Sequence, residues 1–183
     1  ITNSNSPNTT MTGLIPGTYV FNWLITNGTC LSSVDQVQVN VSAIASTAAA
    51  GSDASYCNQS SITLAGNTPA VGTGAWTLVS GPAGSTITTP AAPNSTVTGL
   101  IPGSTYTFQW TITNGVCPPS TDQVIVSVLV DLTNTITSPV TLICSGQTVI
   151  INGDVPTGGT GSYSYQWQQS ADGISWTDIV GAN

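Results

Sequence analysis

Four cysteines carry the strongest covalent chemistry this sequence has to offer, and their spacing is regular. Cys30 and Cys117 are 87 residues apart, and so are Cys57 and Cys144. Thiols in such a pattern can be disulfides, metal ligands or reactive nucleophiles. There is no CxxC pair, and a four-cysteine metal site would have to gather ligands from distant stretches of chain. Disulfides are therefore expected, and with them an oxidising compartment.

The carboxylates come next. Asp35, Asp53, Asp122, Asp131, Asp154, Asp172 and Asp178 are all scattered singly, and there is no Glu. A calcium site needs six to eight oxygens, usually from clustered carboxylates. A glycosidase needs two carboxylates at a defined separation in a cleft. Neither pattern is present. A site at a junction involving Asp53 or Asp131 is the weak remainder, so no metal is expected.

The missing residue types narrow the chemistry further. The chain has no Lys, no Arg and no His, and only 4% of its residues are charged, for a net charge of −7. Without His there is no imidazole ligand and no Ser-His-Asp triad. Without Lys there is no Schiff base and no P-loop. Without cations there is no counterion-releasing grip on nucleic acid and no attraction to anionic lipid. No cofactor and no catalysis are expected, and no apolar stretch nears the roughly 20 residues that cross a bilayer.

These residues are positioned by an internal repeat. Residues 7–41 read PNTTMTGLIPGTYVFNWLITNGTCLSSVDQVQVNV, and residues 93–128 read PNSTVTGLIPGSTYTFQWTITNGVCPPSTDQVIVSV. The offset is 86 residues up to Pro16-Gly17 and 87 from Tyr19 onward. A period near 87 residues is close to the roughly 100 residues of an immunoglobulin-type sandwich. The pattern divides the chain into 1–43, the C-terminal half of a unit; 44–130, a complete unit; and 131–183, the N-terminal half of a diverged unit. With Ile1 opening in mid-pattern, the sequence reads as an excerpt of a longer array.

The fold class expected is all-β: tandem sandwich repeats, one complete and two partial. Tyr106, Phe108, Trp110 and Ile112 alternate with Thr and Gln, the period-two signature of a half-buried strand. Tyr19, Phe21, Trp23 and Ile25 repeat it, and Val124, Val126 and Val128 form a second alternating run. Earlier strands are expected at 61–65, 75–79 and 95–98, and a hairpin between Tyr163 and Ile179. All five Trp are expected in cores, although Trp76 and Trp176 leave room for an exposed sugar-stacking role. Leu100–Tyr106 resembles a tyrosine corner, whose hydroxyl bonds back to nearby backbone. Cys57 precedes the second strand of the complete unit, and Cys117 follows its aromatic strand. In two packed layers these positions can meet, so a Cys57–Cys117 disulfide is expected. Such a closed loop would be worth roughly 4 kcal/mol. Cys30 and Cys144 are left for partners outside the segment or in another chain.

The run TVTGLIPGSTYTFQWTITNGVCPPSTDQVIVSV, with AGSDASYC upstream, resembles the PKD-like and Ig-like repeats of large secreted surface proteins of the Bacteroidota. The tail INGDVPTGGTGSYSYQWQQSADGISWTDI is similar to a second repeat type in those proteins, adhesin-like and gliding-motility ones included. The resemblance implies an extracellular, non-catalytic stalk or filament, often exported by the type IX secretion system. Its partners would be neighbouring repeats of the same or identical chains, and surface glycans or other cells. Two other roles fit the composition: a carbohydrate-binding or spacer module of a secreted hydrolase, and a fibre subunit joining head to tail through its half-units.

Overall fold

Alternation of large apolar and small polar side chains gives a strand one face to bury and one to hydrate. The computed structural model, which describes residues 1–181, shows an all-β chain built on that rule. The first segment contains one hairpin, β1 (Gly17–Ile25) and β2 (Ser33–Val41), paired antiparallel along its whole length.

The middle of the chain holds β3 (Ala54–Cys57), β4 (Ser61–Thr63), β5 (Thr73–Ser80), β6 (Thr86–Ile87), β7 (Thr96–Thr98), β8 (Ser104–Thr113) and β9 (Ser120–Leu129). They form two sheets, ordered β3-β9-β8-β5 and β4-β7-β6. All pairings are antiparallel except β3 with β9, which run parallel with Ala54 opposite Val126 and Cys57 opposite Leu129. The expected strands at 61–65, 75–79 and 95–98 correspond to β4, β5 and β7, while β3 and β6 are additional. Nothing in the short ASYC run announced a strand, because its pairing depends on β9, some seventy residues away.

The core between the sheets contains Tyr106, Phe108, Trp110 and Ile112 from β8 and Val124, Val126 and Val128 from β9. Trp76 of β5 lies directly across from Trp110, with ring centroids 5.1 Å apart and planes tilted by 40°. Each indole N–H finds a carbonyl, Trp76 on Pro93 at 3.0 Å and Trp110 on Asn67 at 3.2 Å. That pairing removes the cost of burying an indole donor. Gly74 makes the approach possible, since a Cβ there would overlap the Trp110 ring. From the other sheet come Ile62, Leu64 and Val97.

The last segment is more open. It holds β10 (Ile136–Thr137) with β11 (Asn152–Gly153), and β12 (Gln168–Gln169) with β13 (Thr177–Asp178), each ladder only two residues long. The expected hairpin between Tyr163 and Ile179 is found in this reduced form. Among the described residues, no helix is long and apolar enough to cross a membrane.

Candidate functional site

Each acidic side chain accepts a hydrogen bond that fixes backbone or a neighbouring side chain. Asp122 accepts the Ala50 amide at 2.7 Å, and Asp53 accepts the Ile125 amide at 2.8 Å. These two bonds tie the segment leading into β3 along the flank of β9. Asp131 accepts from the Asn58 amide side chain at 2.6 Å, and Asp178 from Gln168 at 2.8 Å. Asp35 accepts the Gln36 amide, and Asp154 the Thr135 hydroxyl. Asp172 accepts the amides of Ser175 and Ile174 and the Ser170 hydroxyl, each at 2.9 Å. Led by the Ser175 amide, those donors hold its carboxyl down from an ordinary 3.8 to about 2. Among the described residues, no three acidic or thiol groups gather as a metal site would require. Asp53 and Asp131, the pair considered for a junction cation, sit apart, one beside the middle of β9 and the other beyond its end.

The tyrosine corner forms as expected. The Ile101 amide donates to the Tyr106 hydroxyl at 2.9 Å. In the first segment Tyr19 makes the same contact with the Ile15 amide at 3.1 Å.

The tryptophans divide. Trp76 and Trp110 are buried, as expected. Trp23, Trp167 and Trp176 are 41%, 36% and 58% exposed, so the expectation of five core tryptophans is corrected. The reason is architectural. β1–β2 has no second sheet against it, and the last segment has only two-residue ladders. Among the described residues the one pair of tryptophans in ring contact is the buried Trp76–Trp110 pair. Tyr163, Tyr165 and Trp167 line an open groove of about 550 Å³ together with Asp154, within that loosely paired segment.

The expected Cys57–Cys117 disulfide is not formed; all four cysteines, Cys30, Cys57, Cys117 and Cys144, are free thiols. The register explains why. Cys57 lies opposite Leu129, the last residue of β9, while Cys117 sits in the turn before Ser120, its first. Ten residues of strand at about 3.3 Å each put roughly 30 Å between the two ends. A disulfide tolerates Cα separations of at most about 7 Å. The expectation rested on Cys57 preceding one strand and Cys117 following another in two packed layers; the parallel place of β3 beside β9 sends them to opposite poles.

The poles are where the chain enters and leaves the repeat. At the entry pole, the turn Asn114–Cys117 rests on the end of the first segment. The Asn114 side chain donates to the Ala43 carbonyl at 2.7 Å, and the Cys117 thiol donates to the Ser42 carbonyl at 3.7 Å. At the exit pole, the Asn58 amide donates to the Leu129 carbonyl at 2.8 Å, and the Asn58 side chain reaches Asp131. Asn58 adopts a positive φ of 49°, a conformation Asn tolerates better than most residues.

Residues 50–128, the stretch that carries the closed core, match the family model described as K319L-like, PKD domain. Among solved structures, the solution structure of the PKD domain from KIAA 1837 protein is 29% identical. That match covers 49% of this chain and 91% of that chain, at a TM-score of 0.40. Among curated proteins no match was found.

Proposed function

We propose that this chain is a structural segment of an extracellular bacterial stalk or filament, a non-catalytic building block of a surface adhesin. The observation that carries this reading is the polarity of the PKD-like repeat. The chain enters beside the start of β9, runs parallel to it through Ala48, Ala50 and β3, and leaves from its far end. Entry and exit at opposite poles let identical units follow one another along a line, whereas a unit with both ends at one pole would fold the chain back. The composition supports the same reading. With no Lys or Arg, the chain offers no cleavage site to trypsin-like proteases. Its carboxylates serve backbone and side-chain hydrogen bonds, leaving Thr, Ser and Asn to cover the surface.

Electron microscopy of the protein purified from its native source tests this directly. A beaded filament is expected, with a spacing of about 35–40 Å per bead from the length of a ten-residue strand and its linker. A compact particle bearing a hydrolase domain would overturn the stalk reading in favour of a spacer or carbohydrate-binding module.

A further inference from the structure

We infer that the cysteines staple consecutive repeats to one another across each junction, the Cys57-type thiol of one repeat bonding to the Cys117-type thiol of the next. This rests on the tandem-array reading proposed above. The repeat itself locates both partners. Ser42 occupies in the first segment the position that Leu129 occupies in the complete repeat, 87 residues later. In the complete repeat Cys57 is the residue opposite Leu129, and the neighbouring Asn58 amide donates to the Leu129 carbonyl. A preceding repeat would therefore place its own Cys57-type residue opposite Ser42. The Cys117 thiol already touches the Ser42 carbonyl. Two cysteines, one from each repeat, thus flank a single residue at the junction.

The thiol-bearing turn is built for that position. Cys117 closes on the Asn114 carbonyl at 3.2 Å, and the Asn114 side chain pins the turn to Ala43. The first segment shows the same turn at Asn27–Cys30, closed at 3.0 Å. Cys144 precedes its segment's Gln147-Thr148-Val149 as Cys57 precedes Ser60-Ser61-Ile62. Cys30 and Cys117 are thus thiols of the entry-pole type, and Cys57 and Cys144 of the exit-pole type. Each entry-pole thiol looks to the repeat before it, and each exit-pole thiol to the repeat after it.

The chemistry is a thiol–disulfide exchange. The two cysteines lose their S–H protons and give up an electron pair as the S–S bond forms. An oxidising disulfide of the extracytoplasmic space accepts that pair, its own S–S bond breaks, and it leaves as two thiols.

Disulfide mapping of the native protein decides the matter. The full chain is purified without reductant, blocked with N-ethylmaleimide, digested with pepsin and read by mass spectrometry before and after reduction. The expected products are a Cys57 peptide linked to an Asn-x-x-Cys turn of the following repeat, and a Cys117 peptide linked to the preceding one. A Cys57–Cys117 link, a Cys30–Cys144 link between chains, or maleimide on all four cysteines would each overturn the inference. A full-length Cys117→Ser chain gives a second readout: one new alkylatable thiol should appear in the preceding repeat while Cys57 stays blocked. Release of Cys57 instead would overturn it. A beaded filament with fully alkylated cysteines would leave the stalk standing and remove the staple, so the two readings fail separately.

Discussion

The hairpin β1–β2 and the hairpin β8–β9 are nearly the same object in two surroundings. Tyr19 faces Val39 as Tyr106 faces Val126, and Trp23 faces Asp35 as Trp110 faces Asp122. The Tyr19 and Phe21 rings lie 6.1 Å apart at 5°, and those of Tyr106 and Phe108 lie 6.1 Å apart at 8°. Yet Trp110 is fully buried and Trp23 is 41% exposed. Strand, register and corner thus follow from local sequence, whereas burial follows from the half-repeat packed against the hairpin. Two strands alone are marginal in water, and a second layer supplies most of the stability.

Replacing the matched tryptophans should break the comparison most visibly. Trp110→Ala empties the centre of a packed core and should cost about 3–5 kcal/mol in urea unfolding. In the 183-residue chain on its own, Trp23→Ala should cost clearly less than Trp110→Ala, because no second sheet covers β1–β2 there. Equal costs would mean that the first hairpin is buried in solution. The next effect belongs to the tryptophan pocket. Gly74→Ala drives a methyl group into the Trp110 ring and should cost about 1–3 kcal/mol, with a red-shifted tryptophan emission as the rings part. An unchanged melting temperature would show that the indole can yield.

The corner tyrosines allow a finer cut. Tyr106→Phe leaves the Ile101 amide without its partner and should cost about 1–3 kcal/mol. Tyr19→Phe, in the open hairpin, should cost less, because water can replace the hydroxyl at Ile15. Comparison of the two by chemical denaturation measures what enclosure adds to one hydrogen bond. The smallest effect is a pH dependence in the last segment. The Asp172 carboxyl titrates lower in the fold than in the unfolded chain, so its contribution to the 170–175 turn is complete above about pH 4. It is lost as the pH falls through about 2. A carboxyl-carbon NMR titration with a midpoint near 4 would show that the turn does not form.

Much of this molecule was legible before any coordinates. The alternation of Tyr106, Phe108, Trp110 and Ile112 announced β8 and its buried face, and the GLIPGSTY run announced the tyrosine corner. The 87-residue step of the cysteines was also on the surface of the sequence. The positions of those thiols in space were not. ASYC is too short to reveal a strand, and its parallel pairing with β9 is a long-range choice that no local pattern encodes. Cys57 and Cys117 look like neighbours only while the strand that carries Cys57 goes unrecognised.

The sequence by itself determined the period, the all-β class, the alternating faces of the main strands and the exclusion of imidazole, ammonium and guanidinium chemistry. Those properties live in residue identity and in the two-residue periodicity of a strand. Only the tertiary structure decided which tryptophans are core and that Cys57 and Cys117 sit at opposite poles. Burial depends on what covers a face, and the distance between two thiols depends on whether their strands run side by side or apart.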